Sequence, residues 1–159
     1  MTTSFGGYKG RLEDERMLKG QGRYVSDWNL PGQACGHFLR SDRPHARIVS
    51  IDASAALAMP GVIAVLTGAD VAAAGQKPMP AAAPLKGRNG AEQCVTPRFS
   101  LTRDRVRYVG EPVALIVAET AAQAQDAAEA VVVEYEELPA VLAAQTALAA
   151  GAGSEVGAT

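Results

Sequence analysis

The chain has 159 residues, of which 48% are hydrophobic and 20% charged, with a formal net charge of −2. That length and composition suit one domain around a single core. The near-neutral charge offers no general attraction to nucleic acid or an anionic membrane. No apolar run reaches the roughly 18 residues of a membrane span, and Met1–Gly10 lacks the apolar core of a secretory signal. The expected compartment is therefore the cytoplasm.

Residues 1–10 read as an N-terminal extension. Arg11–Leu18 is rich in helix formers and predicts a short helix that Gly20 ends. Asn29-Leu30-Pro31-Gly32 is a turn signature. Ala34–Arg40 reads as a strand with Cys35, His37 and Leu39 on one face and Gly36 and Phe38 on the other. Its expected partner is Ala46–Ile51, where Ile48 and Val49 offer β-branched side chains to both faces. A helix follows from Asp52 or Ser54 through Leu57, closed by Met59-Pro60-Gly61. Val62–Leu66 has the length of a strand, and Thr67-Gly68-Ala69-Asp70 resembles a capping box opening another short helix.

Between Gly75 and Ser100 the character changes. Pro78, Pro80, Pro84, Gly87, Gly90 and Pro97 exclude a long helix or a central strand. This 75–100 loop and the strand start after it carry Lys86, Arg88, Arg98, Arg103, Arg105 and Arg107 against Glu92 and Asp104. Pro112–Ala118 (PVALIVA) is apolar at every position, as in a strand covered on both faces. Thr120 starts a second capping-box pattern whose helix runs to about Ala130, with Ala121, Ala124, Ala127, Ala128 and Val131 on one stripe. Val131–Glu137 alternates as a half-buried strand does, with Val131, Val133 and Tyr135 on one side. Residues 143–159 are mostly alanine and glycine and read as a disordered tail.

Candidate chemistry is sparse. Gly20-x-Gly22 has Val25 where a dinucleotide fingerprint needs its third glycine, and it follows a helix instead of a strand, so it reads as a turn. His37 and His45 form no HExxH motif and have no cysteine at zinc-ligand spacing; a packed imidazole is the expected role of each. Cys35 and Cys94 belong to no CxxC pair and read as reduced small side chains. Glu134, Glu136 and Glu137 could pair for acid–base work, but an acidic edge that discourages stray strand pairing explains them as well. The arginine-rich stretch reads either as a solvated loop or as a docking surface.

Four segments in order carry a resemblance to a known family. They are Arg11-Leu-Glu-Asp-Glu-Arg16 with Gly20-Gln-Gly-Arg-Tyr-Val25, then Phe38-Leu-Arg-Ser41 with His45-Ala-Arg-Ile48. Met59-Pro-Gly-Val62 with Leu66-Thr-Gly-Ala-Asp70 follows, and Val106-Arg-Tyr-Val-Gly-Glu-Pro-Val-Ala114 with Val133-Glu-Tyr-Glu-Glu-Leu-Pro139 completes the pattern. Together they resemble the N-terminal α/β hammerhead domain of molybdenum hydroxylase large subunits, of the xanthine dehydrogenase, aldehyde oxidase and carbon monoxide dehydrogenase kind. The resemblance implies an α+β fold over about residues 11–142, a mixed β-sheet packed with short helices.

Members of that family hydroxylate aldehydes or N-heterocycles, or oxidise carbon monoxide. By the same resemblance, molybdopterin and the catalytic glutamate lie in later domains, while iron–sulfur clusters and FAD lie on other domains or subunits. No position of this chain matches those ligands, so no catalytic, cofactor-binding or metal-binding residue is assigned. The expectation is a noncatalytic structural domain that packs against a molybdopterin-binding domain or subunit, with iron–sulfur and FAD subunits nearby. The chain stops where such a large subunit is only beginning, as a split subunit, a truncated reading frame or an excised domain would, and its amino terminus reads as a genuine start. The alternative is a free-standing interaction module that keeps the fold and uses the basic loop. An independent enzyme using Glu134 or His37 has the least support.

Overall fold

A computed structural model describes residues 10–80, 86, 90, 96–143 and 145. The chain divides into two compact units, Met1–Gln33 and Ala34–Thr159.

In the first unit, α1 spans Asp14–Leu18, shorter than the expected Arg11–Leu18 because the Arg11 amide donates to Asp14 Oδ2 at 2.9 Å ahead of the helix. Gly20 has φ +67, and the Gly20 and Gln21 amides donate to the carbonyls of Met17 and Arg16 at 3.1 and 2.9 Å. That pattern is a Schellman cap, which places the first glycine of Gly20-x-Gly22 at a helix end. A single 3-10 turn, Val25–Asp27, follows, capped by Asp27 Oδ2 accepting from the Tyr24 amide at 2.8 Å.

The second unit contains β1 (Cys35–Arg40), β2 (Ala46–Asp52), α2 (Ser54–Leu57), β3 (Val62–Thr67), α3 (Gly68–Ala73), β4 (Arg105–Val106), β5 (Pro112–Ala118), α4 (Ala121–Glu129) and β6 (Val132–Glu137). They form two three-stranded sheets, ordered β1-β5-β3 and β4-β2-β6, with every pair antiparallel. The expected pairing of β1 with β2 is therefore corrected. β1 lies on β5, with Cys35 opposite Ala118 and Phe38 opposite Leu115, while β2 lies between β4 and β6. The physical reason is that β5, apolar throughout, is most stable at the centre of a sheet with a neighbour on each side. Backbone bonds between Ser41 and both Glu111 and Gly110, at 2.9 and 2.7 Å, pin the end of β1 to the start of β5.

The main core lies between the first sheet and α4. Ala114, Ile116 and Ala118 of β5 pack against Ala124, Ala127 and Ala128 of α4, joined by Ala56 and Val131. The alanine stripe lets the helix axis come close to the sheet. Ala121 departs from the expected stripe: at the first turn it is exposed. Thr120 caps α4 as expected, its Oγ1 accepting from the Gln123 amide at 3.2 Å. A second small cluster, Ala46, Val106 and Val113, lies beside the β4-β2-β6 sheet. Ile51 and Val133 pack against both clusters and so tie the two sheets together.

Two further expectations are met locally. The capping box of α3 forms, with Asp70 Oδ2 accepting from the Thr67 amide and hydroxyl at 2.7 Å each. These bonds, the hydroxyl's first, hold the Asp70 carboxyl below the usual carboxylate range. Alternation in β6 also holds, with Val133 and Tyr135 partly buried and Val132, Glu134 and Glu136 exposed.

Burial of β5 is less even than its sequence suggests. Its α4-facing side is sealed, but Leu115 and Val117 on the opposite side are only partly buried. Phe38 and Leu66 flank Leu115 from the two neighbouring strands and remain 42% and 38% exposed. Among the described residues of the second unit, no element covers this apolar row.

Candidate functional site

The sequence candidates resolve into structural roles at several positions. Glu134 accepts from the Ser50 hydroxyl at 3.1 Å, Glu136 pairs with Arg47 at 3.2 Å and Glu137 pairs with Arg43 at 2.9 Å. Each carboxylate is thus matched across to β2 or the turn before it. Exposed pairs of this kind contribute about 0–1 kcal/mol and set strand register more than stability. They do not converge as an acid–base pair.

His45 is buried at the start of β2, and its Nδ1 lies 2.6 Å from the Pro139 carbonyl. A carbonyl can only accept, so Nδ1 carries the proton. Nε2 is buried without a hydrogen-bond partner. The His45 carbonyl in turn accepts from the Leu138 amide at 3.0 Å, so this histidine fastens the end of β6 to the start of β2. His37 is partly buried on β1 and lines an open groove with Gln125, Ala128 and Glu129 of α4. Cys35 is a free thiol; Cys94 lies outside the described residues, as do Arg88 and the tail at 146–159. Among the described residues, no group of three or more His, Cys, Asp or Glu side chains could hold a metal ion.

The arginine-rich stretch has more shape. Its two ends meet where the Met79 amide donates to the Arg98 carbonyl at 2.7 Å, and Ser100 donates from its hydroxyl to Gln76 Oε1. Arg103 stacks on the Phe99 ring, 4.2 Å from its centroid. Thr102 is buried, its amide donating to the Pro112 carbonyl at 2.9 Å and its hydroxyl to the Arg105 carbonyl at 2.7 Å. A cleft of about 230 Å³ opens beside this frame, lined by Thr96, Pro97, Arg98, Phe99, Arg107, Tyr108 and Glu111.

Glu111 sits at the floor of a tight turn at Gly110, where φ is +92. Its Oε2 accepts from the Arg107 amide. Burial raises the Glu111 pKa, against the lowering effect of that hydrogen bond and of the Arg107 charge. Arg107 donates from Nη1 to the Arg105 carbonyl at 3.2 Å, while its Nε is buried without an acceptor. The cleft therefore combines two guanidinium groups, one half-buried carboxyl and two aromatic rings. Sequence reasoning noted the charge of this stretch but missed Glu111, Tyr108 and Phe99 as its companions. The Gly-Glu-Pro turn before β5 was the available signal.

Residues 19–139 match the family described as "Aldehyde oxidase and xanthine dehydrogenase, a/b hammerhead domain". The nicotine 6-hydroxylase large subunit of Paenarthrobacter nicotinovorans is 44% identical over 133 residues, which is 83% of this chain and 15% of that protein. The carbon monoxide dehydrogenase large chain of Afipia carboxidovorans is 43% identical over 132 residues, again 83% of this chain and 15% of the relative. A solved Cu,Mo-CO dehydrogenase in its carbon monoxide reduced state superposes with a TM-score of 0.78 at 39% identity, covering 92% of this chain and 17% of that one. The chain thus spans about one sixth of the length of the relatives it matches. No helix among the described residues is long and apolar enough to cross a membrane.

Proposed function

Because this chain belongs to the aldehyde oxidase and xanthine dehydrogenase a/b hammerhead family, we propose that it is a noncatalytic structural and assembly domain of a molybdopterin-dependent oxidoreductase. Its role is to pack against a molybdopterin-binding domain or subunit lying outside this chain. The observation that carries the reading is the pairing of near-complete coverage of this chain with only 15–17% coverage of its relatives. Support comes from the row of Phe38, Leu115 and Leu66, a contiguous apolar strip left partly exposed on the sheet, of the kind another polypeptide can bury.

On this reading the hammerhead domain occupies about residues 11–142, and residues 143–159 form a tail. Molybdopterin, iron–sulfur clusters and FAD are carried by the other domains or subunits of the assembly, in the cytoplasm. The test is affinity purification of the chain from its native source, with co-purifying chains identified and molybdenum measured. The expected result is a molybdenum-bearing chain in stoichiometric amount, and no molybdenum on this chain once separated. Stoichiometric molybdenum on the separated chain, or a partner set without any molybdenum protein, would refute the proposal.

A further inference from the structure

We infer that the cleft between residues 96–99 and 107–111 is a docking site for an acidic side chain carried by the molybdopterin-binding polypeptide. This rests on the function proposed above and names the surface and the chemistry of the contact.

The cleft, about 230 Å³, is large enough to take one side chain with its flanking backbone and too small for a folded element. Its walls are of two kinds. Pro97, Phe99 and Tyr108 give an apolar surface on which a methylene stem can lie, and Arg98 and Arg107 bring two positive charges. Among the described residues, the one carboxyl lining the cleft, Glu111, already accepts from the Arg107 amide. Among the described residues, no carboxylate lies within ion-pair distance of the exposed Arg98, and Arg107 retains a buried Nε with no acceptor. A buried donor without an acceptor is left uncompensated, so an acceptor that reaches Arg107 from the cleft would be favoured. Guanidinium groups match a carboxylate with paired N–H donors.

Two features favour a protein partner over a small anion. The rim of the cleft is continuous with Tyr108 and Val109, which are 56% and 62% exposed, and arginine with tyrosine is the composition enriched at protein interfaces. Arg103, held on the Phe99 ring and donating to the Gln76 carbonyl at 3.4 Å, braces the aromatic wall. The wall is therefore in place before a partner arrives, which lowers the ordering cost of docking.

The test uses the full chain, labelled with nitrogen-15, and a capped tetrapeptide containing two glutamates and one leucine. Its glutamine counterpart and inorganic phosphate serve as comparison probes. The expected result is saturable shifts of the backbone and guanidinium signals at Arg98, Phe99, Arg107 and Tyr108 with the glutamate peptide alone. Binding should weaken at least tenfold in Arg98→Glu and in Arg107→Gln. Equal shifts from the glutamine peptide, or phosphate binding tighter than the peptide, overturn the assignment of a protein carboxylate. Unchanged affinity in Arg98→Glu, an exposed position that folding does not require, overturns the cleft as the site. Co-purification separates this idea from the one beneath it. If wild type and Arg98→Glu retain the molybdenum-bearing chain equally, the docking site is wrong and the proposed function stands. If the wild type binds the peptide yet brings down no molybdenum protein, the partner and the proposed function both fail.

Discussion

Replacing Gly68 with alanine puts two opposite effects into competition at one position. Gly68 is the buried first residue of α3, and alanine there reduces the freedom of the unfolded chain and favours helix, a gain of up to ~1 kcal/mol. Against this, a Cβ on Gly68 would stand 2.1 Å from the Thr102 carbonyl oxygen and 2.7 Å from Arg103 Cα. Both obstacles are backbone, so neither swings aside as a side chain does. For the segment to retreat, the Thr102 amide must lengthen its 2.9 Å bond to Pro112 or its hydroxyl must release the Arg105 carbonyl at 2.7 Å. Overpacking of this kind costs about 1–3 kcal/mol, and each hydrogen bond lost adds about 1 kcal/mol. The net expectation is a destabilisation of roughly 1–3 kcal/mol, or a fall of roughly 2–12 °C in Tm for a chain of this size. Urea unfolding followed by circular dichroism measures it. Gly36→Ala is the matched comparison, because its Cβ would meet the flexible end of Leu115 at 3.2 Å and backbone only at an ordinary 3.9 Å, the Ile116 carbonyl. Should Gly68→Ala prove as stable as wild type, the close approach of α3 to the 102–103 backbone is wrong.

Other outcomes follow from the same structure. Ile116→Ala, at a fully buried central-strand position, should cost about 2–5 kcal/mol, and a loss below 1 kcal/mol in the same assay would contradict its place in the core. Thr120→Ala removes the acceptor for the Gln123 amide and should lower stability by about 1 kcal/mol, with Thr120→Ser restoring most of it. Asp70 and Glu111 should respond to acid with opposite sign. Hydrogen bonds from Thr67 lower the Asp70 pKa, so its contribution is present above the unfolded value of about 4 and disappears as pH falls through the folded value. Burial raises the Glu111 pKa, so its contribution is greatest below the unfolded value and declines as pH rises through the folded one. Stability curves from pH 2 to 7 for Asp70→Asn and Glu111→Gln should therefore diverge from wild type in opposite directions; parallel curves would show that neither group has a perturbed environment.

Much of the candidate site was hidden in the sequence for a definite reason. The charge of the 98–107 stretch is a local property, visible as soon as Arg98, Arg103, Arg105 and Arg107 are read together. The cleft is not local. It needs the Met79–Arg98 bridge to fix one wall and the turn at Gly110 to bring Tyr108 and Glu111 to the other. The acidic run of β6 shows the reverse case: a cluster that suggested chemistry is divided among Ser50, Arg47 and Arg43 once the strand register is known.

What the sequence determined by itself was mostly governed by spacing of a few residues. The Gly20 helix end, the Thr67 and Thr120 caps and the alternation of β6 depend on partners at most a few positions away, and each appears where expected. The ordered motifs likewise pointed to the hammerhead family, which residues 19–139 match. Tertiary structure alone decided which strands pair. A five-residue connection between β1 and β2 made a hairpin the local choice, yet β1 joins β5, more than 70 positions onward. Burial of an entirely apolar strand at the centre of a sheet outweighs the entropy of closing that long loop, which grows only slowly with length. The same non-local choice seals one side of β5 under α4 and leaves Phe38, Leu115 and Leu66 together on the other, the surface on which the proposed assembly role depends.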